Sequence, residues 1–322
     1  MRAIMVRRTG GPDVLELAEL PDPQAGPGQL LVTVAAAGVN YMDIYQRQGN
    51  PPYAPELPYV PGAEGAGTVL AAGPSVTGFM AGDRVAWTGV PGSYATHVVL
   101  PADRAVPVPG GVGLKAAAAV LLQGMTAHYL SIDTFAVGDG DPVVVHAAAG
   151  GVGLLLTQMV KMRGGIVIGT ASTTAKAVLA QRAGADHMAG YGDFAAVTRA
   201  VTGGTGAAAV YDGVGQATFD DSLAALRPRG FMVLYGAASG PVPPFELQRL
   251  AAGGSLFITR PTLGSYIASR AELLARATDL FSWIEQGRLR VRTGGSYPLA
   301  EAARAHQDLA SRGTTGKLIL LP

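Results

Sequence analysis

The chain has no cysteine in 322 residues. That excludes disulfides, thiol nucleophiles and thiolate-held metals, and a cytoplasmic location is the expected one. Charge is scarce too: Asp, Glu, Lys and Arg make up 15%, and the formal net charge is +1. Such a balance leaves no basic stripe for a nucleic acid and no cationic face for an anionic membrane, so neither is an expected partner. Lysine is rare, with four residues against twenty arginines, and only two asparagines occur, Asn40 and Asn50. Long hydrophobic runs are also missing. No stretch of about 18 residues is free of charges and breakers, so no membrane-spanning helix is expected. The N-terminal Met1-Arg2-Ala3-Ile4-Met5-Val6-Arg7-Arg8 carries charges where a secretion signal needs an apolar centre, and it reads as a first strand.

Apolar residues, by contrast, make up 48%, and glycine is frequent with 45 residues. A chain this long and this core-rich divides into two domains. Up to about residue 123 it is β-rich and irregular. Leu30-Leu31-Val32-Thr33-Val34 and Val69-Leu70 read as strands, punctuated by turns such as Gly10-Gly11-Pro12-Asp13 and Met80-Ala81-Gly82-Asp83. From Gly124 the rhythm becomes strand, helix, strand. Strands are expected at 142–146, 166–170, 208–212, 231–236 and 256–260, with helices at 154–163, 175–183, 194–201 and 218–226. Repeated units of this kind build a doubly wound parallel sheet, which binds ligands at the carboxyl ends of its strands. A long helix at 269–286 and a last strand at 317–321 return to the first domain. The expected division is therefore 1–123, 124–262 and 263–322.

The densest motif follows the first of these parallel strands: Val143-Val144-Val145-His146-Ala147-Ala148-Ala149-Gly150-Gly151-Val152-Gly153. An apolar strand, a glycine turn and an apolar helix form the dinucleotide-binding unit. Gly150 and Gly151 let backbone N–H groups, continuing through Val152, approach a pyrophosphate. Gly153 lets the helix pack close to its strand, and the helix N-terminus faces the phosphates. An alanine, Ala147, stands where the commoner pattern has its first glycine. Enzymes that prefer NAD carry an acid about 20 residues further on, for the ribose 2′-OH. Here that place reads Ile168-Gly169-Thr170-Ala171-Ser172, with no acid, and Lys176 follows. Ser172 and Lys176 are a seat for a 2′-phosphate, which predicts NADPH; the competing reading of Lys176 is a solvated surface lysine. The strand ends Val210–Gly215 and Leu234–Gly240 are rich in small residues and can lie close to a bound ribose, or be ordinary turns. Gly313-Thr314-Thr315-Gly316-Lys317 superficially resembles a phosphate loop, but its spacing is wrong and a strand follows.

Taken together, these segments resemble the zinc-independent medium-chain dehydrogenase/reductases, within them the NADPH:quinone reductases related to zeta-crystallin, of the bacterial type. The residues that carry the resemblance run along the chain: Gly10–Leu15, Ala36–Asp43, Pro61–Gly67, Gly82–Val85, Gln123–Ala127, His146–Gly153, Thr259–Pro261 and Gly316–Leu318. The resemblance implies a GroES-like β-rich catalytic domain and a Rossmann nucleotide-binding domain. It implies that Asn40, Asp43, Tyr45 and Tyr129 line the nicotinamide and quinone pocket, with Tyr41 and Met42 beside them. It places Lys176 and Tyr191 around the adenosine 2′-phosphate and adenine, and Gly236, Ala237, Ser239, Pro261, Leu263 and Arg312 at later cofactor contacts. Gln123 departs from relatives that carry a lysine there. Zinc members of the same fold hold their metal with cysteines and a Gly-His-Glu histidine. Here that segment is Gly62-Ala63-Glu64, and the five histidines show no ligand spacing, so no metal is expected.

The expected activity is therefore metal-free hydride transfer from NADPH to a quinone or other small electrophilic acceptor. Asn40 and Tyr45 would be hydrogen-bond donors to the acceptor oxygen, acting there rather than on folding. An enone or enal reductase, or a cofactor-binding structural or RNA-binding protein, are the rivals. A homodimer joined through the strand at 256–259 is expected, because an uncovered apolar edge is adhesive.

Overall fold

The structure is a computed structural model that describes all 322 residues. The chain forms two units, Met1–Leu122 with Ile267–Pro322, and Gln123–Tyr266. In chain order the first unit opens with β1 (Arg2–Met5), β2 (Glu16–Glu19) and the long β3 (Gln29–Val39). Then come α1 (Tyr41–Gln48), β4 (Glu64–Ala72), β5 (Arg84–Thr88), β6 (His97–Pro101) and β7 (Val106–Pro107). The helix α2 (Leu114–Tyr129) leads out of it.

The second unit alternates as its sequence demands. Its elements are β8 (Pro142–Val145), α3 (Gly151–Met162), β9 (Ile166–Thr170), α4 (Thr174–Arg182), β10 (His187–Ala189), α5 (Phe194–Val201) and β11 (Ala207–Asp212). They continue with α6 (Phe219–Ala225), β12 (Leu226–Leu234), α7 (Gln248–Ala252), β13 (Phe257–Thr259) and α8 (Leu263–Tyr266). The chain ends in the first unit with α9 (Arg270–Glu285), β14 (Thr293–Pro298), α10 (Ala302–Ala310) and β15 (Lys317–Leu321).

The second unit is one parallel sheet in the order β10-β9-β8-β11-β12-β13. From β8 the chain winds outward one way, and from β11 the other. The switch point of this doubly wound sheet thus lies between β8 and β11, where such sheets bind ligands. Strands buried on both faces need unbroken apolar runs. Val143–Val145 and Ala207–Tyr211 supply them, around a core of Val144, Ile168, Phe194, Val210 and Met232.

In the first unit the main sheet runs β14-β15-β3-β4-β5-β7, with β6 also paired to β3. Its core contains Leu30, Val32, Trp87, Tyr94, Leu100, Leu318 and Leu320. The pairing that matters most for the site is β15 against β3. The two are antiparallel with Leu318 opposite Val39, which sets Lys317 beside the residue that follows β3, Asn40.

Several boundaries differ from the sequence reading. The segment before 123 is not purely β: α1 and most of α2 lie in it. Leu114–Tyr129 is Ala-rich and, past Lys115, almost wholly buried, which erases the amphipathic period that would announce a helix. α3 starts at Gly151 rather than 154, because the glycine turn itself supplies its first residues. β12 begins at Leu226, five residues earlier than expected, because Leu226 pairs with Ala207 before an irregularity in the register. The last four residues of the second unit extend past 262. Tyr266 stacks on Tyr129 (4.1 Å between ring centroids, 5° between planes) and accepts a hydrogen bond from Thr134 (3.2 Å), which holds α8 in that unit.

Candidate functional site

At the switch point β8 ends, and the chain makes its glycine turn. Ala147 adopts a left-handed φ of +49°, and its carbonyl accepts a hydrogen bond from Gly150 N–H (2.7 Å). Gly150 then caps α3, with Leu154 N–H donating back to its carbonyl (3.0 Å). The N–H groups of Gly151, Val152 and Gly153 head the helix, where no intrahelical acceptor exists. A Cβ on Gly153 would stand 2.8 Å from Ala148 Cα and clash with the Ala147 carbonyl, so glycine is needed for the close helix–strand approach. A Cβ on Gly151 would collide with the Gln123 amide, whose Oε1 is buried without a partner. Turned over, that amide presents its N–H2 to the same place. This cradle fits a pyrophosphate: backbone donors, a positive helix end and no side chain in the way.

Beyond β9 no carboxylate appears before α4. Thr173 caps α4 and accepts from Lys176 N–H (3.3 Å), which places Ser172 just before the helix and Lys176 in its first turn. Ser172 is exposed and Lys176 half-buried. Tyr191 stacks on His146, 6.1 Å between centroids.

The loops after β11 and β12 are zipped to each other. Ser239 Oγ donates to the Val214 carbonyl (2.7 Å) and accepts from Ala217 N–H (3.0 Å). A Cβ on Gly236 would lie 2.6 Å from the Gly213 carbonyl, and Ala237 packs against Gly215. The Ser239 hydroxyl therefore holds loop to loop. Pro261 is buried just after β13, and Leu263 opens α8. Tyr129 is buried under Tyr266.

In the first unit the expected acceptor residues cluster around α1. Asn40 is its N-terminal cap, but its side chain does not serve the cap. Asp43 does, accepting from Asn40 N–H (2.9 Å) through Oδ2. The same oxygen accepts from the Tyr94 hydroxyl (2.9 Å), which also meets His306 Nε2 (3.0 Å). Burial pushes Asp43 up to about 6, against those two hydrogen bonds. The Asp43 carboxylate is fully buried and bonded within the first unit, where it supplies the acceptor that the helix cap needs. Tyr41 likewise donates to the Leu309 carbonyl (3.1 Å) and ties α1 to α10. Met42 is half-buried, and Arg312 is exposed between α10 and β15.

The Asn40 amide faces a buried charge pair. Its Oδ1 accepts from Lys317 Nζ (2.6 Å), and its Nδ2 donates to Glu64 Oε2 (3.0 Å). Lys317 also reaches Glu64 Oε2 (2.5 Å), while Glu64 Oε1 accepts from Leu122 N–H (2.7 Å). All three side chains are at most 3% exposed. The second Nδ2 hydrogen has only the Gly38 carbonyl at 3.5 Å. Sequence reasoning missed this cluster. Lys317 ends a segment that only resembles a phosphate loop, and Glu64 ends the Gly62-Ala63-Glu64 segment that lacks a histidine. Only the β15–β3 register joins them. Tyr45 is half-buried and stacks on Tyr53 (5.7 Å) beside Tyr41 (6.2 Å), an aromatic wall that the sequence did not announce.

No group of three His, Cys, Asp or Glu side chains stands close enough to hold a metal, and residue 63 is alanine. No helix is long and apolar enough to cross a membrane.

A glycine cradle at a switch point and a β-rich partner unit define a medium-chain dehydrogenase/reductase. The alcohol dehydrogenase GroES-like domain matches residues 26–110, and the family described as zinc-binding dehydrogenase matches 183–320. The chain is 44% identical to a quinone oxidoreductase of Pseudomonas aeruginosa over 97% of each chain. It is 40% identical to a 2-haloacrylate reductase of a Burkholderia species, over 99% of this chain and 98% of that one. A mycobacterial protein solved with NADPH superposes with a TM-score of 0.96, at 49% identity and full coverage of both chains. The chain belongs to the quinone oxidoreductase family of the medium-chain dehydrogenase/reductases.

Proposed function

We propose that the protein is an NADPH-dependent, zinc-independent quinone oxidoreductase. The observation that carries the proposal is the cradle at the β8–β11 switch point, with no carboxylate after β9 and Lys176 at the head of α4. Bound NADPH supplies a hydride. Gly150–Gly153 hold the pyrophosphate, and Ser172 with Lys176 hold the 2′-phosphate. A quinone is an easily reduced acceptor, so no Lewis acid is needed; its oxygen becomes anionic as it takes the hydride. The Tyr45 hydroxyl and the second Nδ2 hydrogen of Asn40 are the donors to that oxygen, and donors aimed at developing charge act on the transition state.

A second reading is reduction of an activated C=C bond. The Burkholderia relative, named for a halogenated acrylate, favours it. Steady-state assays with a panel of quinones and enones, each with NADPH and NADH, decide between them. Quinone turnover with NADPH well above NADH supports the first reading. Turnover confined to enones overturns it.

We place the protein in the cytoplasm, which the absence of cysteine supports, and as a homodimer. The edge strand β13 carries Phe257, 51% exposed and stacked on Phe231. Pairing this edge with its own copy about a two-fold axis covers both.

A further inference from the structure

His146 lies in the cradle motif, yet nothing in the proposed chemistry uses it. It is fully buried, and both ring nitrogens are bonded. Nδ1 meets Thr170 Oγ1 at 3.0 Å, and Nε2 meets Ser222 Oγ at 2.9 Å. Its neighbours settle the direction of every hydrogen. Ser222 donates to Asp212 Oδ2 (3.0 Å), so its oxygen accepts from His146 Nε2–H. Nδ1 is then a bare acceptor and takes the Thr170 hydroxyl hydrogen. Thr170 Oγ1 is left as an acceptor, and Ala147 N–H donates to it (3.2 Å). Burial lowers His146 to about 4, which keeps the ring neutral as this arrangement requires.

The result is one unbroken chain: Ala147 N–H to Thr170, Thr170 to His146, His146 to Ser222, Ser222 to Asp212. It begins at the left-handed alanine that opens the cradle and ends on a carboxylate with three further donors. Thr218 Oγ1 (2.7 Å) shares Oδ2, and the N–H groups of Val214 (2.7 Å) and Gly215 (2.9 Å) meet Oδ1. One buried carboxylate therefore anchors both strand-end loops of the switch point, the turn after β8 through the chain and the loop after β11 directly.

We propose that Thr170, His146 and Ser222 are positioning residues for the dinucleotide: their chain holds Ala147 in its left-handed conformation and so sets the pyrophosphate cradle. The proposal rests on the reading of the cradle as a NADPH site. The Thr170 hydroxyl acts with two backbone bonds, Gly150 N–H to the Ala147 carbonyl and Ala148 N–H to the Thr170 carbonyl, to hold Ala147 in a conformation that costs an L-residue, and its loss loosens that hold. Relaxation there would move Gly150, whose N–H binds the Ala147 carbonyl, and with it the head of α3.

The test measures binding by two ligands. NADPH carries the pyrophosphate; adenosine 2′-monophosphate carries the adenine and the 2′-phosphate with no 5′-phosphate to enter the cradle. Thr170→Val removes the hydroxyl at constant shape, and Thr170→Ser keeps it. Loss of a buried hydrogen bond predicts that Thr170→Val weakens NADPH about tenfold in cofactor-fluorescence titrations. Adenosine 2′-monophosphate affinity should stay at the wild-type value, and Thr170→Ser should restore NADPH. NADPH affinity unchanged in Thr170→Val overturns the proposal, as does equal weakening of both ligands. Should Thr170→Val fail to fold, Ser222→Ala decides by the same pair of ligands. Wild type that binds no nicotinamide dinucleotide defeats the reading of function itself, and that is seen before any variant is made.

Discussion

Lys317 and Glu64 stand 253 positions apart in sequence and 2.5 Å apart in space, neither more than 1% exposed. A buried pair of this kind is costly to assemble and costlier to break, because removing one partner strands the other in a medium that cannot solvate it. Lys317→Met should destabilise the protein by about 3–5 kcal/mol. Lys317→Met combined with Glu64→Gln should recover part of the loss, since no bare carboxylate is left. Urea unfolding of the four combinations measures both effects. A single variant as stable as wild type would show that the pair contributes nothing.

Asn40 is bonded to both members of that pair, besides its proposed place at the acceptor. Its amide bonds both ions, so its removal acts on the fold as well as on turnover. Asn40→Ala should cost about 1–3 kcal/mol of stability as well as turnover. Tyr45→Phe should lower quinone turnover while leaving the melting temperature and NADPH affinity near wild type, because its ring stacking is preserved. Wild-type turnover in Tyr45→Phe removes the hydroxyl from the mechanism.

Lys176 is the residue proposed to separate the two nicotinamides. A charge-assisted hydrogen bond is worth about 1.5–3 kcal/mol, so Lys176→Ala should weaken NADPH by roughly ten- to a hundredfold. NADH affinity should not move. Equal binding of NADH and NADPH by wild type would refute the assignment of this corner.

Stability should fall in acid. Burial holds His146 at about 4 and His306 at about 3, both below an unfolded histidine near 6.5. A depressed histidine contributes stability that is present above pH 6.5 and lost as pH falls toward the folded value. Asp43, raised to about 6, acts in the opposite sense: its contribution is present below pH 3.8 and lost as pH rises through 6. Two histidines outweigh one carboxylate, so the unfolding midpoint should drop steadily from pH 6.5 to 4. A midpoint that rises over that range contradicts the burial argument.

The edge of β13 predicts the assembly. Light scattering at micromolar concentration should give twice the chain mass, and Phe257→Arg should shift it toward the monomer. A wild-type monomer would leave the apolar edge without its proposed cover.

Much of this protein is local in the sequence. β-branched runs ending in Gly-Gly-Val-Gly can form little but a strand, a tight turn and a helix, so the cradle at Gly150–Gly153 and the alternation of the second unit were legible. The missing acid after β9 was legible for the same reason, since a ribose contact lies a set distance along the chain. α2 was not, because a helix buried all round shows no period.

What only the tertiary structure decided is which polar groups meet. Composition and the family resemblance singled out Asn40, but neither said that its amide lies between Lys317 and Glu64. The sequence showed His146 at the end of a strand, but not that Thr170, Ser222 and Asp212 close a chain around it. These contacts join strands and helices brought side by side by register and winding. A buried polar group must find its partner wherever the fold supplies one, and that partner is written nowhere in the local sequence.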